Sequence, residues 1–170
     1  MKNAYFVCAV SAISEHPERI YRLFSNENSR DNGAYFVALM KLGNWNNVLV
    51  DDYLPTIRNP SRVDRLIGAS SLENEMWVSI LEKAYAKQFG GYYEIGNGGD
   101  PRICLNDLTG APCEMLRIEN FLVDPDGFWD KIKHADESNH IICCGSKFDE
   151  SCIPLYKKIY EDWNKKYEGV

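Results

Sequence analysis

The feature that most constrains the fold is a strongly amphipathic segment at residues 72–89. Its apolar residues recur at the three- and four-residue spacing of an α-helix: Leu72, Met76, Trp77, Ile80, Leu81, Ala84 and Tyr85. The pattern predicts a helix with one face in a hydrophobic core, and it leaves the polar residues mostly on the other faces: Glu73, Ser79, Glu82, Lys83 and Lys87. Ser70 and Glu73 fit a capping box at its start, and Gly90 and Gly91 would end it.

The rest of the chain predicts further helices and one antiparallel ribbon. Helices are indicated from Pro17 onward and at residues 4–13, 102–108, 126–135 and 154–167. Two strand-like runs at residues 34–40 and 47–51 flank a turn at 42–45, which predicts a β-hairpin, and residues 141–144 have the pattern of a short buried strand. The predicted fold class is therefore α+β and rich in helices.

Composition and charge exclude several classes of function. With 170 residues, of which 45% are hydrophobic, the chain has the length of one domain and enough apolar residues for a core. A net charge of -6 without a basic cluster argues against nucleic-acid binding. No apolar run approaches the roughly 18 residues of a membrane span, and the start of the chain lacks the pattern of a secretory signal.

Six cysteines are present: Cys8, Cys104, Cys113, Cys143, Cys144 and Cys152. None of them forms the C-x-x-C spacing that is typical of zinc sites, so no metal cluster is predicted. Reduced thiols in a cytoplasmic protein are the favoured interpretation. The glycine-rich residues 96–99 are not followed by G-K-[ST], so they are not predicted to bind phosphate.

Four blocks of sequence occur in a distinctive order. They are Gly43-Asn44-Trp45 followed by Val48-Leu49-Val50-Asp51-Asp52-Tyr53-Leu54-Pro55; Asn74-Glu75-Met76-Trp77 continuing to Leu81-Glu82-Lys83-Ala84-Tyr85-Ala86-Lys87; Tyr93-Glu94 with Gly98-Gly99; and Asp107-Leu108-Thr109-Gly110. Together they resemble the first half of the calpain protease core, closely over residues 1–110 and more loosely to 145. The resemblance implies the helical first subdomain of a papain-like fold, with residues 1–170 as a single unit and residues 153–168 as a divergent C-terminal helix.

The same resemblance bears on catalysis. In calpains the nucleophilic cysteine opens the central helix in a segment of the type Gly-Asp-Cys-Trp-Phe, and the matching stretch here is Lys2-Asn3-Ala4-Tyr5-Phe6. Ala4 therefore stands at the nucleophile position. A cysteine protease also needs an imidazole, an orienting amide and an oxyanion donor, and the family's Gln, His and Asn have no expected counterparts in this chain. Cys8, His134 and His140 are not predicted to replace them, so no catalytic residue and no enzyme activity are predicted.

A calcium site is the only cofactor that the resemblance raises. Calpains bind calcium in this subdomain partly through the glutamate of N-E-x-W, which here is Glu75. Ca²⁺ requires six to eight oxygen ligands, and the family's second carboxylate loop has no expected match in this chain. We therefore predict no cofactor.

The predicted function is that of a non-catalytic calpain-like domain serving as a protein-interaction or structural module. Half of a two-lobed fold should expose a face that its second lobe would cover. The interaction candidates lie on an aromatic stripe of the closing helix, which either packs on its own domain or docks on a partner: Tyr156, Ile159, Tyr160 and Trp163. Family analogy suggests a cytoplasmic protein partner, in a cytoskeletal or ciliary assembly. The alternative is a fragment or subunit of a calcium-dependent cysteine endopeptidase whose missing catalytic parts lie outside this chain.

Overall fold

The computed structural model describes residues 3–24, 32–58, 65–71, 73 and 75–145. Its helices are α1 (Ala4–Ser14), α2 (Pro17–Tyr21), α3 (Trp77–Phe89), α4 (Tyr92–Ile95), α5 (Pro101–Thr109) and α6 (Pro125–Glu137), with a 3-10 turn at Ile118–Phe121. Its strands are β1 (Ala34–Lys41), β2 (Asn44–Asp51), β3 (Thr56–Ile57) and β4 (Arg65–Leu66). The predicted mixed class, with helices and a small antiparallel sheet, is confirmed. The predicted closing helix, with Tyr156, Ile159, Tyr160 and Trp163, lies outside the described residues.

The predicted hairpin is present, with a tighter turn than the sequence suggested. β1 and β2 pair antiparallel from Ala34 opposite Asp51 to Lys41 opposite Asn44. This register leaves Leu42 and Gly43 as a two-residue turn, and both have positive φ angles, 51° and 81°. Two-residue turns of this kind match the right-handed twist of the strands they connect, so β2 begins three residues earlier than predicted.

The long helix α3 begins later than the sequence pattern predicted and ends where it was predicted to end. It starts at Trp77, because the Ser71 hydroxyl accepts a hydrogen bond from the Glu75 N–H (2.9 Å) and donates one to the Glu75 carbonyl (3.0 Å). This local turn replaces the predicted capping box. At the other end Gly90 adopts a φ of 101°, and the Gly91 N–H donates to the Ala86 carbonyl at 2.7 Å. Glycine favours this left-handed helix ending because it has no Cβ.

The core lies between α1, α3, α5 and the inner face of the hairpin. Fully buried side chains come from each of these elements, among them Phe6, Ile13, Leu39, Ile80, Leu81 and Leu108. The Phe6 ring packs against the Tyr85 ring at a centroid distance of 5.2 Å, which joins α1 to α3. α1 is thus held against the rest of the core along its apolar face.

The predicted strand at residues 141–144 is wrong. The segment has no strand partner among the described residues, and only its alternate residues point inward. Ile141 and Cys143 pack against the core, whereas Ile142 and Cys144 are exposed. The apolar run is therefore a half-buried extended segment. In the part of the chain that the structure describes, no helix has the length and apolar character required to span a bilayer.

Candidate functional site

The first turn of α1 is the place to which the resemblance assigns the nucleophile. Ala4 is the first residue of this helix, and its methyl group is exposed. The carbonyl of Asn3 accepts the N–H groups of Phe6 (3.0 Å) and Val7 (3.1 Å), which begins the helical hydrogen-bonding pattern. The Asn3 side chain does not cap its own helix, because its amide donates a hydrogen bond to the carboxylate of Glu82 on α3. The start of α1 is therefore positioned by a different helix.

Glu82 links three segments at this point. Its side chain is only 1% exposed, and its second carboxylate oxygen accepts the N–H of Ala69 at 2.8 Å. A Cβ on Gly68 would come within 1.8 Å of that oxygen, so the loop can approach only because this residue is glycine. Burial raises the pKa of Glu82, while its hydrogen bonds to Ala69 and Asn3 act in the opposite direction.

The burial of two polar residues on α3 corrects the sequence analysis, which placed both mostly away from the core. Glu82 is buried, and so is Ser79, whose hydroxyl donates to the Ala69 carbonyl at 2.8 Å. Helical periodicity identifies the polar residues, but it does not reveal partners that lie far away in the sequence. Asn3 is separated from Glu82 by 79 positions.

Two lysines of the same helix hold the edge of the hairpin. The ammonium group of Lys83 donates to the carbonyls of Tyr53 (2.6 Å) and Asp51 (3.2 Å) and to the Asp51 carboxylate (2.5 Å). One turn later, Lys87 donates to the Leu49 carbonyl at 2.7 Å. The hydrogen bond from Lys83 is the main reason that the pKa of Asp51 is lowered. The lysines satisfy carbonyls that an edge strand would otherwise leave unpaired.

Tyr85 completes the structural role of this motif. Its hydroxyl donates to the Asp107 carboxylate at 3.1 Å, and its ring packs against Phe6 and Phe89. Burial raises the pKa of both Tyr85 and Asp107. Since the remaining motif residues, Leu81, Ala84 and Ala86, are also buried, every position of residues 81–87 has a packing or hydrogen-bonding function. The most specific block of the resemblance therefore joins α3 to the start of α1, to the hairpin and to α5.

The glycine-rich loop after α4 lies beside the start of α1. Gly99 is packed against the ring of Tyr5, since a Cβ at this position would come within 2.6 Å of the ring. The Tyr5 hydroxyl donates to the Ile95 carbonyl at 3.3 Å, and Gly98 has a φ of 99°. The structure thus places Gly98-Gly99 beside Tyr5, the residue that follows Ala4. Two stretches that the resemblance singled out, and that are far apart in the sequence, are therefore neighbours in the fold.

The thiols near α1 are buried to different degrees. Cys8 lies one turn after Ala4 and is half-buried, and the Cys143 thiol lies 3.9 Å from the Cys8 carbonyl. Burial is the main reason that the pKa of Cys104 is raised to about 12 and that of Cys143 to about 11. Thiols with such pKa values are protonated at neutral pH, whereas a nucleophilic cysteine must be a thiolate.

Two of the three histidines of this chain, His16 and His140, lie away from Ala4. His16 follows the C-terminal end of α1, and His140 is next to Asn139, whose carbonyl accepts a hydrogen bond from Arg19 of α2 at 3.0 Å. The 11 residues of α1 correspond to a rise of about 16 Å, so this group of residues lies at the opposite end of the helix from Ala4. His134 belongs to the last turn of α6.

The described residues do not fit the calcium site that the resemblance implies. Glu75 is exposed and lies before α3, with its backbone bonded to Ser71. Within residues 3–24, 32–58, 65–71, 73 and 75–145, no three Asp, Glu, His or Cys side chains are grouped as a metal ion would require. A lone exposed carboxylate supplies too few of the oxygen ligands that calcium needs.

Calcium should therefore leave the stability of the chain unchanged. A calcium site would add about 2.7 kcal/mol to the free energy of unfolding when calcium is present at 100 times the dissociation constant of the site. A thermal melt detects a change of this size easily. We expect the same melting temperature in millimolar calcium and in chelator. An increase in calcium that disappears in Glu75→Ala, but persists in the exposed control Glu73→Ala, would contradict this expectation.

Comparison of the sequence with known proteins identifies the family. A family model described as "Calpain family cysteine protease" matches residues 1–159. The chain is 32% identical over 148 residues to Calpain-type cysteine protease DEK1 of Zea mays, covering 85% of this chain and 7% of the relative. It is 33% identical over 121 residues to Calpain clp-1 of Caenorhabditis elegans (69% of this chain, 15% of the relative) and 31% identical over 137 residues to Calpain-12 of Mus musculus (78% and 18%).

The chain belongs to the calpain family, as the sequence blocks predicted. It spans between 7% and 18% of the length of these three relatives. The matched range ends at residue 159, within the predicted closing helix.

Proposed function

We propose that this chain is a non-catalytic calpain-family domain that binds another protein. The observation that carries the proposal is Ala4, an exposed methyl group at the first position of α1. The N-terminus of a helix lowers the pKa of a cysteine placed there and so favours the thiolate. Alanine has no group that could be activated in this way or that could attack a carbonyl.

The contrast between scaffold and chemistry supports the same proposal. The hydrogen bond from Asn3 to Glu82 fixes the start of α1. Lys83 holds the edge of the hairpin, and Tyr85 donates a hydrogen bond to α5. A fold can persist for a function other than the one its relatives perform, because function resides in the site rather than in the architecture. We therefore propose that the domain functions through its surface, by binding another protein.

Recognition of a protein partner fits the exposed apolar residues around the helices. Val7 on α1, Ile103 on α5 and Ile142 after α6 are each more than two-fifths exposed. We propose that the partner is contacted by the aromatic stripe of the C-terminal region, since Trp and Tyr are common anchors of protein interfaces: Tyr156, Ile159, Tyr160 and Trp163. We propose, by analogy with the family, that such a partner is cytoplasmic and belongs to a cytoskeletal or ciliary assembly.

A second candidate function is favoured by the small share of the relatives that the chain covers, 7% to 18%. On this alternative the chain is part of a calcium-dependent cysteine endopeptidase whose remaining catalytic groups are encoded elsewhere. Sequencing the complete transcript distinguishes the two. An upstream glutamine and cysteine, or a downstream histidine and asparagine in the family's order, would favour the endopeptidase.

Replacing Trp163 by alanine should abolish partner binding and leave the melting temperature of the isolated chain nearly unchanged. The partner is first identified by cross-linking and mass spectrometry, and its affinity for purified wild type and Trp163→Ala is then compared by calorimetry. Glu161→Ala, on another face of the predicted helix, is the matched control and should bind normally.

The alternative for this stripe is that it packs on its own domain. In that case Trp163→Ala would cost about 3–5 kcal/mol of stability, as large core truncations do. A variant that retains both its stability and its affinity for the partner would contradict the proposed interface.

A further inference from the structure

The extended segment after α6 contacts both α2 and α1. The chain passes Arg19 of α2 at Asn139, and four residues later the Cys143 thiol donates to the Cys8 carbonyl at 3.9 Å. Ile141 and Cys143 pack against the core, while the residues between and after them are exposed. Two cysteines that are 135 positions apart in the sequence are therefore neighbours across two elements.

Cys8 and Cys143 differ from the other described cysteines in their surroundings. Cys104 is fully buried, so an oxidant in solution does not reach it, and Cys113 and Cys144 are exposed. Cys8 and Cys143 are both half-buried, so an oxidant in solution can reach them without the two residues having to move apart. The Cys143 thiol, 3.9 Å from the Cys8 carbonyl, lies beside the residue that carries the other half-buried thiol.

We propose that Cys8 and Cys143 are a redox-sensitive pair that forms a reversible disulfide between α1 and the segment at residues 141–145. The oxidant is a small disulfide of the class of oxidised glutathione. The Cys8 thiol loses its proton, and the Cys8 thiolate attacks this disulfide, forming a mixed disulfide and releasing one glutathione. The Cys143 thiol then loses its proton and attacks the Cys8 sulfur of the mixed disulfide, which releases the second glutathione. The two protein thiols lose two electrons and two protons, and one oxidised glutathione becomes two reduced molecules.

The bond would have a structural consequence. It joins the first helix to the segment that leads into residues 146–170, and a cross-link between distant positions stabilises a protein chiefly by restricting its unfolded state. The oxidised chain should therefore melt at a higher temperature than the reduced chain. This inference does not depend on the proposed partner binding, since it concerns contacts within the described residues.

The test uses the full chain in buffers of increasing ratio of oxidised to reduced glutathione. After free thiols are blocked with N-ethylmaleimide, non-reducing peptide mapping should find the cross-linked peptide that contains Cys8 and Cys143. The melting temperature should rise with the amount of this peptide and should return to its initial value in dithiothreitol. Mapping the unaltered chain needs no variant, so the test does not depend on a substituted protein folding.

Matched variants complete the experiment. Cys8→Ser and Cys143→Ser should each abolish the shift in melting temperature, whereas Cys113→Ser and Cys144→Ser should retain it. The proposal is overturned if the map shows only glutathione adducts on exposed cysteines. It is also overturned if the cross-link joins Cys143 to Cys144 or to Cys104, or if the shift persists in Cys8→Ser.

Discussion

Replacing Phe6 by alanine should lower the free energy of unfolding by about 3–5 kcal/mol, the usual cost of truncating a buried aromatic side chain. Phe6 is 0% exposed, and its ring contacts that of Tyr85 at 5.2 Å. The truncation would leave a cavity between α1 and α3, where the start of α1 is positioned. Urea unfolding monitored by circular dichroism measures the change.

The adjacent residue of the same helix provides the control for this prediction. Val7 is 44% exposed, so Val7→Ala should cost less than about 1 kcal/mol, because nearly half of the residue's surface remains in water in the folded state. Equal effects of the two substitutions would show that α1 does not bury the face that contains Phe6.

Replacing Glu82 by alanine should lower the free energy of unfolding by about 2–4 kcal/mol, because it leaves two hydrogen-bond donors without a partner. Its carboxylate accepts hydrogen bonds from the Asn3 amide and the Ala69 N–H. Leaving a buried donor without a partner costs about 1–3 kcal/mol. Glu73→Ala, in an exposed position, is the control and should change stability little. The same urea experiment measures both variants.

The pH dependence of stability gives a sharper test of the same residue. Burial raises the pKa of Glu82 above its ordinary value of 4.5, so the folded state holds this proton more tightly than the unfolded state. The contribution of Glu82 to stability is therefore largest below pH 4.5 and is lost as the pH rises through the raised folded pKa. In Glu82→Gln this titration is absent. The stability of the wild type relative to Glu82→Gln should fall from pH 4 upward, and a difference that rises with pH would contradict the assignment.

The parts of the fold that could be predicted from the sequence are those in which local pattern and tertiary packing agree. α1, α5, the hairpin and the end of α3 at Gly90 follow from apolar spacing and turn residues. The start of α3 could not be predicted, because the hydrogen bonds of Ser71 to the Glu75 backbone compete with the capping box. Residues 141–144 have the composition of a strand, but a strand also needs a paired neighbour, which a short apolar run does not specify.

The candidate site was predicted from the family resemblance and not from the local sequence pattern. Ala4 was identified by resemblance, and its placement at the first turn of α1 follows from the helix that the pattern predicted. The burial of Glu82 was missed, because its partners Asn3 and Ala69 come from two other segments. Lys83 and Lys87 both donate hydrogen bonds to carbonyls at the edge of the hairpin, a role that helical periodicity alone did not reveal.

The central claim is that the domain retains the calpain scaffold without its chemistry, and hydrolysis of a fluorogenic calpain peptide by Ala4→Cys tests it most directly. The substitution restores a thiol at the first turn of α1, where a helix N-terminus favours the thiolate. On the proposed function the imidazole, the orienting amide and the oxyanion donor are still missing. We expect no turnover by the wild type or by Ala4→Cys, with or without millimolar calcium. Turnover by Ala4→Cys that disappears on alkylation of the thiol would contradict the account.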